Sequence, residues 1–233
     1  MILERKSKVN IPDLKEQYGQ IINQLTSTDL SVSIIKFAKL MQVYNSAMKE
    51  VSTKLEILDD DFHINHRHNP IHHIECRLKG PKSIYEKLIN LGIEPSLDTT
   101  MEHVLDIAGI RVICNYYDDI YIVEKLLLDQ SDVKLVSRKD YIECPKENGY
   151  RSLHVVVKVP VFLSNKIDET PVEIQFRTIA MDYWASLEHE LKYKNSKDMQ
   201  KYSENLLDCA NRLADTEKIM QDIRKNMEDS PYQ

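Results

Sequence analysis

The chain has 233 residues, 42% of them hydrophobic, with five glycines, eight prolines and a formal net charge of −6 at pH 7. This length supports a buried core, either in one large α/β unit or in a domain with helical arms, and the composition excludes a low-complexity or fibrous protein. The acidic balance argues against a general nucleic-acid binder, because neutralising phosphates needs a basic surface. Any anion site must therefore be local.

The four cysteines, Cys76, Cys114, Cys144 and Cys209, lie far apart and form no Cys-x-x-Cys pair. This spacing is more typical of reduced thiols in the cytoplasm than of a disulfide framework or a zinc knuckle. Residues 1–20 carry charges throughout, and no apolar run approaches membrane-spanning length. We therefore expect a soluble cytoplasmic protein without a membrane partner.

Two helices are predicted first in chain order, over residues 13–27 and 31–58. In the second, apolar residues recur every three or four positions while lysines occupy the other faces, as in a helix that packs against a core. The residues that set this period are Ile34, Ala38, Met41, Tyr44 or Asn45, Met48, Val51, Leu55 and Leu58.

Five histidines crowd the next segment: His63, His66, His68, His72 and His73. Imidazoles are good metal ligands, but the spacing matches no zinc signature and no cysteine pair accompanies it. We interpret the segment as a polar loop entering a strand and keep metal binding as the alternative.

Residues 73–79 alternate apolar and polar side chains, which predicts an amphipathic strand. Gly80 and Pro81 end the strand, and a helix is predicted from residue 82 to residue 91, with Gly92 as its C-terminal cap. A strand end beside a helix N-terminus suits a polyphosphate when cations and a hydroxyl converge there. The side chains of this kind are Arg77, Lys79, Ser83 and Lys87.

A short helix is predicted over residues 99–105, and the run from Asp106 to Cys114 reads as a turn that leads into a strand. At this entrance a carboxylate can hold Mg²⁺ while Arg111 reaches a nucleotide. The alternative is that Asp106 is an ordinary turn residue.

After a helix over residues 120–128, a strand is predicted over residues 135–142, then a polar loop over residues 145–151 and a strand over residues 152–159. Tyr150 in this loop can stack on a base, and its neighbours can bind phosphate; the alternative is a plain hairpin turn. The phosphate-binding candidates are Lys146 and His154.

Residues 172–177, Val-Glu-Ile-Gln-Phe-Arg, predict a strand whose one face is wholly polar, just before a helix that begins near Thr178. The polar face carries Glu173, Gln175 and Arg177. An amphipathic strand with a wet outer face is the alternative. Together with Asp106 and the cations, however, these groups match the requirements of transfer between nucleotides, in which positioning and charge neutralisation dominate.

Five segments in order resemble the synthetase domain of the Rel/SpoT-homologue alarmone synthetases. Residues 181–189 are similar to the small, single-domain branch, to RelP-type members more than to RelQ-type ones. The resemblance implies a nucleotidyltransferase-like mixed β-sheet flanked by helices. It also implies transfer of pyrophosphate from ATP to the 3′-hydroxyl of GTP or GDP, with release of AMP, in stringent-response signalling. The five segments are 77–85, 106–111, 139–142, 145–154 and 172–178.

On the donor side, the resemblance implies that Arg77 and Arg111 sandwich the adenine of ATP. It implies further that Lys79, Ser83 and Lys87 hold the ATP phosphates.

On the acceptor side, the resemblance implies that Tyr150 stacks on guanine. Asp106 is implied to bind Mg²⁺, and Glu173 to share that ion or to take the proton of the 3′-hydroxyl. The other residues implied to line the acceptor pocket are Lys146, Asn148, His154 and Gln175.

One position departs from the family pattern: Asn90 stands where relatives often carry a further basic residue. We therefore expect the corresponding contact to the donor triphosphate to be weaker here or to be supplied by Lys82. Three further basic residues near the motifs, Arg138, Lys139 and Arg177, are kept as additional candidates without an assigned role.

Three parts of the chain follow from this reading: an N-terminal helical arm (1–62), a catalytic domain (63–195) and a C-terminal helix for oligomerisation (196–233). No His-Asp dipeptide occurs, so we expect a synthetase without the metal-dependent hydrolase domain of longer family members. A helix over residues 201–227 carries a regular apolar seam, which indicates packing on another helix of this chain or of a second copy. The resemblance implies a homotetramer. The seam consists of Leu206, Cys209, Leu213, Thr216, Met220, Ile223 and Met227.

Two alternatives remain at this stage. A related enzyme would place the pyrophosphate on the 3′ end of a transfer RNA, against which the acidic balance argues. A non-catalytic nucleotide sensor would keep the pocket without turnover, against which the presence of both Asp106 and Glu173 argues.

Overall fold

The structure, a computed structural model, describes residues 3–6, 11–26, 30–194 and 199–228. The strands are β1 (Leu3–Lys6), β2 (Ile71–Leu78), β3 (Ala108–Cys114), β4 (Lys134–Asp140), β5 (Leu153–Phe162) and β6 (Ile167–Thr178). The helices are α1 (Ile11–Thr26), α2 (Leu30–Asn65), α3 (Pro81–Asn90), α4 (Leu97–His103), α5 (Tyr117–Leu128), α6 (Ile179–Lys194) and α7 (Ser203–Glu228), with a 3₁₀ turn (Met199–Tyr202) before α7.

The strands form a mixed sheet in the order β1-β2-β3-β6-β5-β4. The pairs β1–β2 and β3–β6 are parallel, and the other three pairs are antiparallel. The expected mixed α/β architecture, a sheet flanked by helices, is confirmed. Its central feature is that β6, the last strand in sequence, pairs with β3 and so brings distant motifs side by side.

One face of the sheet is apolar and packs under α2. Phe37 and Leu55 of α2 are fully buried in the same cluster as Ile74, Val112 and Ile174 of the central strands. Because these side chains alternate with polar ones along each strand, burying them turns the polar set toward the opposite face. The helix predicted to end at residue 58 continues to Asn65 and packs in the core of the sheet. The predicted boundary at residue 62, between the N-terminal arm and the catalytic domain, stays a proposal.

The histidine-rich segment does not form one loop. His63 lies in the last turn of α2 and His73 lies on β2, so the predicted loop is shorter than expected. His68 Nε2 lies 2.9 Å from Asp119 Oδ2, and the Nδ1 atoms of His72 and His73 lie 2.8 Å apart. Within the described ranges, no three His, Cys, Asp or Glu side chains are grouped so that they could hold a metal ion.

The turn between β2 and α3 follows the predicted chemistry. Gly80 is the N-cap, and Pro81 takes the first helical position, where its missing N–H costs nothing. At the other end Gly92 has φ +71°, a left-handed conformation that glycine adopts without strain. Pro81, Ile84 and Leu88 are buried, so α3 is anchored by one face and directs Lys87 away from the core.

The terminal helix α7 packs within this chain, but not along the whole predicted seam. Ala210 is buried with Trp184 of α6, and Trp184 Nε1 donates a hydrogen bond of 2.9 Å to Leu206 O. In the second half, Arg224 pairs with the buried carboxylate of Asp119 at 3.0 Å, which turns a polar face inward. As a result Ile223 remains 48% exposed. No helix within the described ranges is long and apolar enough to cross a membrane.

Candidate active site

A row of polar side chains crosses five strands on the face opposite α2. In register, Glu75 of β2 pairs with Arg111 of β3, Arg111 with Gln175 of β6, Gln175 with His154 of β5, and His154 with Lys139 of β4. Directly paired residues of neighbouring strands point to the same face. The polar faces predicted for separate strands therefore join into one surface.

A cavity of about 270 Å³ opens on this surface next to the parallel pair β3–β6. It holds both carboxylates singled out in the sequence, together with cations of β2 and β3. Its lining consists of Glu75, Arg77, Lys79, Asp106, Gly109, Ile110, Arg111, Glu173 and Gln175.

Asp106, at the entrance to β3, is held by two lysines. Lys79 Nζ donates to Oδ2, and Lys87 Nζ donates to Oδ1 at 2.7 Å. Burial favours the neutral carboxyl, but the hydrogen bonds and charges of the two lysines outweigh it and lower the pKa of Asp106 below its usual value. The lysines expected to bind phosphates thus have an internal anion between them.

Arg111 lies between two carboxylates. Its Nη1 atom is 3.0 Å from Glu75 Oε2 and 3.3 Å from Asp182 Oδ1, at the first turn of α6. Arg77 also lines the cavity, and its side chain is exposed. Ser83 lies in the first turn of α3, outside the lining of this cavity.

Tyr150, in the loop before β5, lies among aromatic and cationic groups. Its ring centroid is 6.1 Å from that of Tyr141, and Lys146 Nζ lies 4.9 Å from the Tyr150 centroid and 4.6 Å from that of Tyr141. Arg177 lies 5.3 Å from the same ring of Tyr150. An aromatic ring flanked by cations can accept a stacked base and an anionic group together.

The loop that carries Tyr150 is held by the two last helices. Asn148 donates to Glu188 of α6 at 3.2 Å, and Arg151 donates to Ala210 O of α7 at 3.2 Å. Gly149 has φ +88°, and a Cβ atom there would lie 2.6 Å from the Cβ of Ala210. The loop is therefore more than a hairpin turn, because α7 packs against its glycine.

Glu173 receives contacts at both carboxylate oxygens. His154 Nδ1 lies 3.4 Å from Oε1, and Gln175 Nε2 donates to Oε2 at 3.0 Å. Burial and the nearby charge of Asp106 favour the neutral acid, but His154 and Gln175 outweigh them and lower the pKa of Glu173. The group therefore stays a carboxylate, which can coordinate a cation or accept a proton.

The three additional basic residues end up in different places. Arg177 is buried at the end of β6 and donates to Asp182, Tyr150 and Gln175 at 2.8–3.0 Å. Arg138 forms a two-point pair with Glu124 on α5, away from the cavity. Lys139 is exposed on the edge strand β4, opposite His154.

Three residues that the sequence reasoning gave no role are part of the arrangement: Glu75, Tyr141 and Asp182. Glu75 has a visible signal, since it alternates with Arg77 on the polar face of β2. Asp182 is an acid in the first turn of α6, which is common for dipole reasons alone and does not by itself indicate a site.

Comparison with known proteins agrees with the geometry. The family model described as "Region found in RelA / SpoT proteins" matches residues 76–198. The GTP pyrophosphokinase YwaC of Bacillus subtilis is 43% identical over 173 residues, which cover 74% of this chain and 82% of that protein.

Two solved structures have the same fold. The small alarmone synthetase 1 of Bacillus subtilis bound to its product pppGpp has a TM-score of 0.76 and 33% identity, covering 82% of this chain and 97% of that one. The same synthetase bound to AMPCPP has a TM-score of 0.71 and 29% identity, covering 84% of this chain and 99% of that one.

Proposed function

The chain belongs to the RelA/SpoT family and is a GTP pyrophosphokinase of the small alarmone synthetase type, and on this premise we propose how its residues divide the reaction. The enzyme transfers pyrophosphate from ATP to the 3′-hydroxyl of GTP or GDP and releases AMP. The single observation that carries the proposal is that Glu173 and Asp106 line one cavity together with Arg77, Lys79 and Arg111. Tyr150 is connected to the Glu173 side of this cavity through His154.

On the donor side, we assign Arg77 and Arg111 to the adenine of ATP and Lys79, Ser83 and Lys87 to its phosphates. Lys79 directly follows β2 and Lys87 lies in the last turn of α3, but both ammonium groups reach Asp106, which supports a shared phosphate site. Ser83 lies in the first turn of the same helix, where free N–H groups can add to this site. The related synthetase with bound AMPCPP, an ATP analogue, supports a donor site in this fold.

On the acceptor side, Tyr150 stacks on guanine, and the remaining polar groups bind the sugar and phosphates. The position of the Tyr150 ring beside Lys146 supports this assignment. The product pppGpp bound to a related synthetase supports a guanine nucleotide as acceptor. The groups assigned to the sugar and phosphates are Lys146, Asn148, His154 and Gln175.

Mg²⁺ fits the donor set of this site. Asp106 and Glu173 are both carboxylates that favour the ionised state, and Mg²⁺ is bound in such enzymes by one or two carboxylates plus substrate phosphates. When bound, the ion neutralises charge on the transferred phosphates.

Catalysis by the chain's own residues then rests on positioning and on one proton transfer. Lys79 and Lys87 neutralise the phosphates of the donor, and the Tyr150 loop sets the direction of the acceptor. Glu173, held at both oxygens, accepts the proton of the 3′-hydroxyl as that oxygen attacks the β-phosphorus of ATP and AMP leaves.

We also propose a homo-oligomer, a tetramer by resemblance. Apolar side chains on the outer faces of α6 and α7 remain about half exposed, which supports a further covering surface. They are Ile179, Tyr183, Leu187, Leu191, Met220, Ile223 and Met227. None of the four cysteines, all within the described ranges, is in a disulfide, which supports a location in the reducing cytoplasm.

The decisive experiment incubates the purified protein with ATP, Mg²⁺ and either GTP or GDP and resolves the nucleotides. We expect AMP and a 3′-pyrophosphorylated guanine nucleotide in equal amounts. Binding of both nucleotides without AMP would indicate a sensor. Transfer to the 3′ end of a transfer RNA, and not to GTP or GDP, would indicate the other enzyme.

A further inference from the structure

Five side chains on the polar face form a closed ring of polar contacts, of which four are hydrogen bonds and one is the ion-pair contact between His154 and Glu173. Arg177 Nη2 donates to Tyr150 Oη at 2.8 Å, and Tyr150 Oη lies 2.8 Å from His154 Nε2. His154 Nδ1 faces Glu173 Oε1, and Gln175 Nε2 donates to Glu173 Oε2. Gln175 Oε1 accepts from Arg177 Nη2 at 2.9 Å, which completes the ring.

The ring has one member that can only donate and one that can only accept. A guanidinium has no acceptor, so Arg177 must donate to both Tyr150 and Gln175. A carboxylate has no donor, so Glu173 must accept from both His154 and Gln175. Every hydrogen bond in between is therefore given a direction, away from Arg177 and toward Glu173.

Along one arm this direction decides a proton position. Tyr150 Oη accepts from Arg177 and has its own proton to donate to His154 Nε2. A neutral His154 then carries its proton on Nδ1, which points toward Glu173 Oε1 at 3.4 Å. The opposite tautomer would place the Nδ1 lone pair against the carboxylate and leave the phenol proton without an acceptor in the ring.

Along the other arm the direction decides an amide orientation. Gln175 can present its oxygen to Arg177 and its nitrogen to Glu173. The flipped amide would place its NH₂ donor against the Arg177 donor and its oxygen against the Glu173 carboxylate. The two arms thus end in two N–H donors on the two oxygens of Glu173.

We propose that Arg177 is a positioning residue of the pyrophosphate transfer, which sets the Nδ1–H tautomer of His154 and the amide orientation of Gln175 so that Glu173 is held for the 3′-hydroxyl. The inference rests on the proposed role of Glu173. Arg177 acts through its neighbours, since its side chain is only 6% exposed and does not line the cavity.

The setting of Arg177 suits this function. Its Nη1 atom donates to Asp182 Oδ1 at 3.0 Å, which anchors the guanidinium from α6 while Nη2 serves both arms. A lysine ammonium is a point charge without this planar fork, so it cannot replace the arrangement.

The test reads the tautomer of His154 by ¹⁵N NMR of the ring nitrogens in the free, full-length protein, in the neutral form of the imidazole. The chain has eight histidines, so the signal is assigned by its loss in His154→Gln. The variants are Arg177→Lys, Arg177→Met and Tyr150→Phe. Tyr150→Phe breaks the same arm without removing a buried charge, so it remains informative if an Arg177 variant folds poorly.

Arg224→Met is the matched control. Like Arg177, Arg224 pairs with an aspartate, since its Nη1 atom lies 3.0 Å from Asp119 Oδ1, and it lies 4.7 Å from the aromatic ring of Tyr116. It is not one of the five side chains of the contact ring around Glu173. We expect it to leave the His154 signal unchanged.

The wild type should show the Nδ1–H tautomer, and the Tyr150 and Arg177 variants should shift toward Nε2–H. Tyr150→Phe keeps the aromatic ring for stacking, so the acceptor KM should change little. Because the variant removes the hydroxyl that sets the His154 tautomer, kcat should fall by about 10²-fold. A wild-type Nε2–H tautomer, or an unchanged signal in all three variants, would overturn the proposal. Because the NMR measurement needs no turnover, a protein without transferase activity would contradict the proposed function and leave this result readable.

Discussion

Lys87 Nζ lies 2.7 Å from Asp106 Oδ1, so an ammonium group assigned to the donor phosphates is bound to the carboxylate assigned to Mg²⁺. Lys79 engages the other oxygen of Asp106. In the free enzyme the two lysine ammonium groups and the carboxylate of Asp106 therefore neutralise each other. On the proposed assignments, we expect Mg²⁺ and ATP to exchange these internal pairs for pairs with the substrate, which limits the charge that has to be desolvated at any one step.

Asp106→Asn should reduce transfer by orders of magnitude and partly recover at high Mg²⁺, because the amide is a weaker ligand of the same shape. ATP measured without Mg²⁺ should bind at least as tightly as in the wild type, since Lys79 and Lys87 lose their internal anion. Calorimetric titration checks the binding. Much weaker metal-free ATP binding in the variant would contradict the assignment of the two lysines.

The lowered pKa of Asp106 also predicts a dependence of stability on pH. Its folded pKa lies below the unfolded value, so the contribution is present at neutral pH and is lost as the pH falls below about 4 and through the folded pKa. Asp106→Asn should flatten the free energy of unfolding against pH in that acidic range. Urea titrations at a series of pH values check it, and parallel curves for the two proteins would rule it out.

Glu173→Gln should fold like the wild type and lose transfer by about 10²- to 10⁴-fold, because the amide keeps the shape but can neither accept the proton nor neutralise the metal. AMP release measures the loss, and the thermal midpoint reports the fold. Glu169, on the same strand and paired with Lys134 away from the cavity, gives the control Glu169→Gln. Near-wild-type turnover in Glu173→Gln would reject the role of Glu173.

Tyr150→Ala should raise the KM of GTP or GDP by the loss of roughly 1 to 3 kcal/mol of stacking and leave the KM of ATP nearly unchanged. Tyr202 provides a control, because it is an exposed tyrosine with Lys201 Nζ 5.8 Å from its ring, outside the site. If Tyr150→Ala raised the KM of ATP alone, the donor and acceptor pockets would be assigned the wrong way round.

Arg111→Ala should weaken the binding of ATP and leave the KM of the acceptor nucleotide unchanged, since we assign this guanidinium to the adenine of the donor. Glu75→Gln is its counterpart, because it removes the 3.0 Å ion pair that holds Arg111 in the free enzyme. We expect tighter or unchanged ATP binding in Glu75→Gln. Steady-state kinetics with each substrate varied in turn distinguish the two sides, and a purely acceptor-side defect in Arg111→Ala would count against the assignment.

The terminal helix calls for two substitutions with different results. Leu213 packs near Trp184 and Ala210, so Leu213→Asp should destabilise the protein itself, by on the order of 3 kcal/mol. Ile223 is half exposed, so Ile223→Asp should preserve the fold and reduce the mass of the assembly. Light scattering and thermal unfolding of both variants check this, and an unchanged mass in Ile223→Asp would exclude this part of α7 from the interface.

Local sequence was enough to predict most of the elements and the side of each strand that faces the site. Alternation of period two is imposed by the geometry of an extended backbone, so Glu173 and Gln175 had to share one face wherever their strand was placed. Gly80, Pro81 and Gly92 likewise predicted the turn and the helix beside it, because their backbone preferences act locally. The family resemblance also rests on short local motifs, and the comparisons with known proteins confirmed it.

Tertiary structure decided which residues meet. The pairing of β6 with β3 places Gln175 beside Arg111, although 64 positions separate them in the chain, and no local pattern specifies that choice. The rotation of α7 was decided by the Asp119–Arg224 pair and not by its apolar repeat, which alone would have turned Ile223 inward. In the sequence Arg177 was a candidate without an assigned role, and Asp182 was an ordinary charge. Folding buries Arg177 beside Tyr150 and Gln175 and brings Asp182 within reach of both Arg177 and Arg111. A buried charge must find its partners among whatever side chains packing brings near, and those contacts are properties of the whole fold.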